Sequence, residues 1–173
     1  NKLDGMNITI PYKSTIIKYL DDINARAESI GSVNFVMKSG SKIIGNNTDW
    51  YGFKICMQKN NIDPNGKEVV VLGAGGAALS ILFSLKQMGI KKICILNRTL
   101  KNALPLQDNY ISAYDMNDAE RIIQSNSIII NTTSVGMHNN ESPLDYNLLH
   151  QNQIIIDIIY TPLQSRLLQF GEK

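Results

Sequence analysis

The sequence has few of the residues that build disulfide frameworks or metal centres. Its 173 residues include two cysteines and two histidines. Cys56 and Cys94 lie in apolar segments without C-x-x-C spacing, and neither His138 nor His150 has the spacing typical of a metal ligand. We therefore expect buried free thiols in a reducing compartment and no metal site.

Long apolar runs and an excess of one charge are also lacking. No stretch approaches the roughly 18 apolar residues of a membrane span, and we expect no signal peptide. The net charge is +2, from 17 basic and 15 acidic residues, without a basic block. These absences exclude a helical membrane span and give no support to nucleic acid as a partner. We expect a cytoplasmic monomer or homodimer that binds a small polar molecule.

The two ends of the sequence indicate that it is an excerpt. The chain starts at Asn1 and runs directly into a strand pattern, while the helical pattern SRLLQFGEK stops at Lys173. We expect an internal fragment of a longer polypeptide, which could also be a multifunctional one.

The two parts of the chain differ in the order of their predicted strands and helices. The first part predicts a strand at 6–10, a helix at 12–20, a hairpin at 32–49 and a helix at 49–60 that is capped by Thr48. After the turn-rich segment 61–67, near-continuous Val, Ile and Leu strands alternate with helices, as in a parallel sheet that is covered on both faces. The predicted fold is therefore α/β. A Rossmann-like, doubly wound parallel sheet at 61–173 follows part of a smaller α/β domain with a connecting helix at 1–60.

A glycine-rich turn follows the first strand of the second part. In VVVLGAGGAA, Gly73, Gly75 and Ala78 have the G-x-G-x-x-G/A spacing between a strand and a helix. The first glycine allows a tight turn, and the second lets a pyrophosphate approach backbone N–H groups. This context favours dinucleotide binding over an ordinary tight turn.

The next strand ends in LNRT, where an NAD site would carry an acidic residue for the ribose hydroxyl. Asn97 stands there instead, followed by Arg98 and Thr99. A neutral site with a guanidinium suits a 2′-phosphate, so we expect NADP as the cofactor. A solvated arginine after a strand is the alternative.

Polar residues also follow two later strands, where ligands lie in open α/β sheets. The segment NTTSVGM contains Asn131, Thr133 and Ser134, and DIIYTPL contains Tyr160. Each could equally be a turn with capping residues.

Lys13 has an unusual place for a cation. The pattern puts it in the first turn of the predicted helix, where the macrodipole disfavours positive charge by a few tenths to about 1 kcal/mol. Asp49 opens another predicted helix, where an acidic residue is favourable. Lys13 is either a solvated surface residue or one retained for its chemistry.

The chain resembles the shikimate dehydrogenase family in an ordered set of seven segments. They are NITIPYK, SIGSVNF, GNNTDWYG, VLGAGGAA, NRT, NTTSVGM and DIIYTPL. The resemblance implies reversible, NADPH-dependent reduction of 3-dehydroshikimate to shikimate in aromatic amino acid biosynthesis. It also implies a substrate-binding and catalytic first domain and an NADP-binding second domain.

The resemblance assigns roles by motif. Lys13 and Asp49 match the catalytic pair of the family, with Lys13 as proton donor and Asp49 as the residue that orients it and binds a substrate hydroxyl. The residues that match the substrate-binding positions of the family are Thr9, Asn34 and Tyr160. The residues that match the cofactor-binding positions of the family are Gly73, Gly75, Gly76, Ala77, Asn97, Arg98, Thr99 and Thr133.

The sequence departs from the family pattern in two respects. Where a second basic residue follows NRT in the family, this chain has Asn102, with Lys101 one step away, so some use of NAD becomes possible. The family segments that carry a carboxylate-binding serine and a glutamine contact are absent. Without them we would expect cofactor binding without efficient turnover and exposed apolar edges that favour dimers.

Two other functions are open. One is a quinate/shikimate dehydrogenase with broader cofactor use, although LNRT lacks the acidic residue expected of it. The other is a non-catalytic nucleotide-binding paralogue, which retention of both Lys13 and Asp49 disfavours.

Overall fold

The computed structural model describes residues 3–172. The expected fragment ends, Asn1 and Lys173, lie outside the described residues. The chain forms two compact units: residues up to Asp63 together with Leu79–Met88, and Pro64–Ala78 together with the residues from Gly89 onward. These units are defined by packing, so the division into a substrate domain and a cofactor domain stays a prediction.

The first unit contains a mixed four-stranded sheet with two α-helices. Its strands are β1 (Gly5–Asn7), β2 (Asp22–Ile23), β3 (Phe35–Ser39) and β4 (Lys42–Asn46), and its helices are α1 (Ala25–Ile30) and α2 (Asp49–Lys59). The strand order is β1-β3-β4-β2, with β2 parallel to β4 and the other pairs antiparallel. The predicted hairpin is confirmed, because Ser39 pairs with Lys42 across a turn in which Gly40 has φ +62°.

The core of the first unit is small and aliphatic. It consists of the buried residues Ile8, Ala27, Val33 and Val36, against which partly buried Ile16, Ile17, Leu20 and Ile23 pack. The apolar side chains of the segment before β2 therefore face this core.

The predicted α-helix at 12–20 is wrong. Only Thr15–Tyr19 are helical, and they form a 3-10 helix. The Lys13 carbonyl accepts a hydrogen bond from the Val33 N–H at 2.7 Å, so it is engaged by the neighbouring segment instead of the helix. Lys13 therefore lies in a turn before the helix and outside the helical turn in which the sequence placed it.

The second unit is a five-stranded, fully parallel sheet. Its strands are β5 (Glu68–Leu72), β6 (Lys92–Leu96), β7 (Ile111–Tyr114), β8 (Ile128–Asn131) and β9 (Ile154–Asp157), in the order β7-β6-β5-β8-β9. Its helices are α4 (Leu100–Ala103), α5 (Ala119–Gln124) and α6 (Arg166–Gly171), while α3 (Gly76–Gln87) contributes residues to both units. The order reverses beside β5, which makes the fold doubly wound and Rossmann-like, as predicted.

The centre of this sheet is almost free of solvent. Val69, Val70 and Val71 on β5 and Ile128, Ile129 and Ile130 on β8 are fully buried. Burial of consecutive residues on both faces confirms the expected layers of helix, sheet and helix. Each such side chain contributes about 1.5–3 kcal/mol when it leaves water, so these strands hold the unit together.

Two short helices were not predicted from sequence. The signals for α1 are local: the Asn24 side chain accepts from the Arg26 N–H, and Gly31 ends the helix in the left-handed conformation. Helix α4 has only four residues, too few for a periodic pattern. Among residues 3–172, every helix is too short or too polar to span a membrane.

The expectation of two buried thiols is wrong for Cys56. It lies on α2 and is exposed, because Phe53 and Met57 occupy the buried face of that helix, whereas Cys94 is buried in β6. Burial raises the pKa of the Cys94 thiol above its ordinary value.

The two cysteines should therefore differ in reactivity. At neutral pH we expect a thiol reagent such as DTNB to modify Cys56 in the native protein and Cys94 only after unfolding, because Cys94 is buried and forms less thiolate. Absorbance and peptide mass spectrometry measure this difference. Cys56→Ser should leave the native protein unreactive, and native labelling of Cys94 at the rate of Cys56 would contradict the burial argument.

Candidate active site

The turn that carries Lys13 is fixed by backbone hydrogen bonds. The Tyr12 N–H donates to the Thr9 carbonyl at 2.8 Å, and the Val33 N–H donates to the Lys13 carbonyl at 2.7 Å. The Ile8 N–H donates to the Asn34 carbonyl, also at 2.7 Å. The segment before Lys13 is thus held alongside Val33 and Asn34.

Asp49 is the first residue of α2. Its backbone N–H donates to the Asn47 side-chain oxygen at 3.0 Å. Thr48 occupies the N-cap position, but its hydroxyl makes no capping bond, so the expected cap by Thr48 is wrong and Asn47 provides it. A carboxylate at this end of the helix is favoured by the macrodipole.

Lys13 and Asp49 form a partly buried ion pair. The Lys13 Nζ lies 2.7 Å from the Asp49 Oδ2, and the two side chains are 15% and 33% exposed. The Asn34 Nδ2 donates to the other carboxylate oxygen, Asp49 Oδ1, at 2.6 Å. Charge-assisted bonds on both oxygens hold the carboxylate in a single orientation.

The amide of Asn34 is fully used in this arrangement. Besides Asp49, its Nδ2 donates to the Thr48 Oγ1 at 3.0 Å, and its Oδ1 accepts from the Thr48 N–H at 2.9 Å. Asn34 therefore supports Asp49 here, and its role as a substrate contact stays a prediction. Thr9 is exposed at the start of the turn.

The chemical capacity of this cluster follows from its groups. Lys13 presents an ammonium that can donate a proton, and Asp49 presents a carboxylate that accepts hydrogen bonds from amine, amide or hydroxyl donors. Because each charge is balanced by the other, the pair can remain charged while partly shielded from water.

The glycine turn after β5 has one crowded and one open position. Gly73 has φ +101°, and a Cβ there would lie 2.9 Å from the Thr132 Oγ1 and 3.0 Å from the Thr133 Cγ2. A Cβ at Gly75 would meet no heavy atom within 4 Å outside its immediate neighbours. The turn therefore packs closely on one side and leaves open space where α3 begins, which fits a pyrophosphate at a helix N-terminus.

Buried polar residues fix the ends of β8 and β9 beside this turn. The Asn131 Oδ1 accepts from the backbone N–H and the hydroxyl of Thr133 at 3.0 and 2.8 Å, and its Nδ2 donates to the Asp157 Oδ1 at 3.0 Å. The Ser165 hydroxyl donates to the Asp157 Oδ2 at 2.6 Å. Thr133 is thereby held at the carboxyl edge of the sheet.

The segment after β6 presents its polar groups to solvent. The Asn97 Nδ2 donates to the Thr99 carbonyl at 2.8 Å, which closes a small turn, while Arg98 and Thr99 are exposed. Within residues 3–172, Arg98 forms no ion pair. Lys101 and Asn102 follow on α4 and are also exposed.

The structure brings only some of the predicted site residues into contact. Lys13, Asn34 and Asp49 meet in the first unit, and Gly73 and Thr133 meet in the second. The second unit also contains Gly75, Gly76, Ala77, Asn97, Arg98, Thr99 and Tyr160, the last of which is 80% exposed.

Sequence reasoning missed three residues that support these groups. They are Asn47, Asp157 and Ser165. An Asn two residues before a helix-opening Asp is a recognisable signal for a side-chain cap. Within the described part of the chain, no group of three or more His, Cys, Asp or Glu residues could hold a metal ion.

Taken together, the fold and the site define a doubly wound, Rossmann-like protein with an amine–carboxylate pair in a separate small unit. A family model for the shikimate dehydrogenase substrate binding domain matches residues 1–36, and a model for shikimate / quinate 5-dehydrogenase matches residues 56–159. The chain belongs to the shikimate / quinate 5-dehydrogenase family.

Individual relatives are similar to this chain over nearly its whole length. The shikimate dehydrogenase (NADP(+)) of Geobacillus sp. (strain WCH70) is 37% identical over 179 residues, which cover 99% of this chain and 65% of the relative. The crystal structure of shikimate dehydrogenase from Aquifex aeolicus is 33% identical with a TM-score of 0.89, covering 98% of this chain and 63% of that one.

A third relative is a complex. The structure of shikimate 5-dehydrogenase from Thermus thermophilus with NADP(H) and shikimate is 30% identical, with a TM-score of 0.86, and covers 99% of this chain and 64% of that one. The present chain thus spans less than two thirds of the length of these relatives.

The two glycines of the turn should respond differently to a methyl group. Gly73→Ala should lower the free energy of unfolding by about 1–3 kcal/mol, because the left-handed backbone and two close neighbours oppose a Cβ. Gly75→Ala is the matched control and should unfold like the unmodified protein. Urea denaturation measures both, and equal stability of the two variants would contradict the packing described for Gly73.

Proposed function

We propose that this chain carries out the reversible reduction of 3-dehydroshikimate to shikimate with NADPH, a step of aromatic amino acid biosynthesis. The observation that carries the proposal is the Lys13–Asp49 pair at 2.7 Å. The names of the relatives support it, because the similarity to a shikimate dehydrogenase (NADP(+)) extends over 99% of the chain. A cytoplasmic location and a monomeric or homodimeric state belong to the same proposal.

The proposed cofactor site is the glycine turn with the residues after β6 and β8. The open space at Gly75 would admit the pyrophosphate, and Gly76 and Ala77 at the start of α3 would offer backbone N–H groups. Thr133 would line the same edge of the sheet. When bound, NADPH supplies the hydride that the reaction consumes.

The neighbourhood of Asn97 favours a 2′-phosphate. Asn97 is neutral, and Arg98 has a guanidinium that no ion pair with a described residue engages. A phosphate dianion would be repelled by a carboxylate in place of Asn97 but attracted by Arg98 and the Thr99 hydroxyl. The residues present therefore fit NADP, while Asn102 leaves room for some use of NAD.

Lys13 is the proposed proton donor. Reduction of a carbonyl develops negative charge on its oxygen, which a nearby ammonium stabilises and then protonates. Asp49 orients the amine, and its carboxylate accepts a hydrogen bond from a substrate hydroxyl. In the reverse direction the neutral amine takes up the hydroxyl proton.

The family motifs assign three further substrate contacts, of which Asn34 and Thr9 lie in the first unit and Tyr160 in the second. Asn34 is proposed as a substrate contact on the family motif alone, since its amide is bonded to Asp49 and Thr48 in the structure. Thr9 offers an exposed hydroxyl close to Lys13 in sequence. Tyr160 would contribute its exposed phenol.

Removal of the amine tests the catalytic assignment. Lys13→Ala should lower kcat by two or more orders of magnitude, because the developing oxyanion loses its proton donor, while the Kd for NADP should change little. Shikimate oxidation is followed by NADPH absorbance, and cofactor binding is followed by fluorescence.

The matched control is Lys38→Ala, which removes an exposed lysine of β3 in the same unit. It should turn over at the original rate. A near-normal kcat for Lys13→Ala would refute the assignment of Lys13, and a full-length protein that binds NADP without turnover would favour the non-catalytic paralogue.

Removal of the guanidinium tests the cofactor assignment. Arg98→Ala should lower kcat/KM for NADP about tenfold relative to NAD, equivalent to roughly 1.4 kcal/mol, because only NADP carries the 2′-phosphate. Lys91→Ala is the control, since Lys91 pairs with Glu68 at the opposite end of β6. A clear preference of the unmodified chain for NAD would overturn the assignment.

A quinate/shikimate dehydrogenase is the second candidate function. The observation that favours it is Asn102, which stands where the family pattern has a second basic residue. The same assay with quinate and NAD separates the two, because the proposed enzyme should prefer shikimate and NADP.

A further inference from the structure

We infer that Asn47 is a positioning residue for the Lys13–Asp49 pair; this inference rests on the proposed function. The Asn47 side chain is bonded to neither the Lys13 amine nor the Asp49 carboxylate, and the residue is only 2% exposed. Its amide nevertheless links the backbone segments that hold both members of the pair. It would therefore affect the reaction through their placement.

The first link is to Asp49. The Asn47 Oδ1 accepts from the Asp49 N–H at 3.0 Å, and this bond sets the first residue of α2. Thr48, the only residue between them, does not replace it, because its hydroxyl makes no capping bond. The direction in which the Asp49 side chain projects from α2 therefore depends on the Asn47 amide.

The second link is to Lys13 through two intervening residues. The Asn47 Nδ2 donates to the Ser32 carbonyl at 2.8 Å, and the N–H of the next residue, Val33, donates to the Lys13 carbonyl at 2.7 Å. Together with the contact of Lys13 Nζ and Asp49 Oδ2, these bonds form a closed loop. A shift of Asn47 would move both backbones that meet at the ion pair.

The third link anchors the amide itself. The Asn47 Nδ2 also donates to the Ser80 Oγ at 2.9 Å, on the part of α3 that belongs to the first unit. The three bonds use both amide hydrogens of Asn47 and one of the two lone pairs of its Oδ1. A buried amide with three partners has one favourable orientation, which is what a positioning residue requires.

Two substitutions of Asn47 separate the effect of losing the hydrogen bond to Asp49 from the effect of losing side-chain volume. Asn47→Ala removes every bond, whereas Asn47→Ser retains a hydroxyl that can accept from the N–H two residues later. We expect kcat per folded molecule to fall about tenfold or more in Asn47→Ala and about two- to threefold in Asn47→Ser, with KM for NADP unchanged in both.

A second measurement does not depend on turnover. Competitive acetylation with acetic anhydride, analysed by peptide mass spectrometry, compares Lys13 with the exposed Lys38 as internal reference. In the unmodified chain Lys13 should react slowly, because its amine is paired and its side chain is mostly buried. The ratio of Lys13 to Lys38 acetylation should rise about threefold or more in Asn47→Ala and less in Asn47→Ser, because a loosened ion pair leaves the Lys13 amine accessible more often.

Phe53→Leu is the control for destabilisation alone. Phe53 packs on the buried face of α2, so the variant weakens the same unit without touching the polar loop. It should leave kcat per folded molecule and the acetylation ratio unchanged. If both Asn47 variants behave like Phe53→Leu, Asn47 is only structural and the inference is overturned.

The outcomes also separate this inference from the proposed function. A full-length protein that binds NADP but does not oxidise shikimate contradicts the function, while the acetylation ratio still decides whether Asn47 holds the pair. If Asn47→Ala does not fold, Asn47→Ser against the unmodified chain decides alone, and an unchanged acetylation ratio overturns the inference.

Discussion

The ion pair of Lys13 and Asp49 is the constraint around which the first unit is arranged. Its partners are 36 residues apart, and neither charge could be partly buried without the other. The turn before the 3-10 helix, the segment at 32–34 and the start of α2 must therefore converge on one place. The hydrogen bonds of Val33, Asn34 and Asn47 bring about this convergence, so much of the local structure serves to hold one contact.

The second unit differs from the first in where its polar groups lie and in what they bind. Its buried polar groups, such as Asn131 and Ser165, have their hydrogen bonds with other parts of the unit, and they keep the strand ends in place. The groups suited to phosphate, at Gly75 and Arg98, face open space. An anion that binds where the sheet edge leaves open space does not have to displace packed side chains, which keeps the cost of reorganisation low.

The sequence predicted those features that depend on pattern and on short motifs. The parallel sheet followed from runs such as Val69–Val71, and the glycine turn followed from spacing that the backbone of Gly73 requires. The helix at 12–20 was mispredicted because the Lys13 carbonyl is taken by Val33, a contact that no local pattern reveals. Likewise, Asn47 rather than Thr48 caps α2, because its orientation is set by Ser32 and Ser80 from distant parts of the chain. Helix periodicity also could not show that Cys56 faces solvent, since its exposure depends on which face of α2 packs.

The contribution of Leu79–Met88 to the first unit affects the order of folding during synthesis. Domains generally fold in the order in which they leave the ribosome. Here the amino-terminal unit lacks one of its own segments until the chain has been made as far as Met88, when β5 and the glycine turn have already been synthesised. Maturation of the two units must consequently overlap in time, and a nascent chain halted at the end of α2 would expose the surface that α3 later covers.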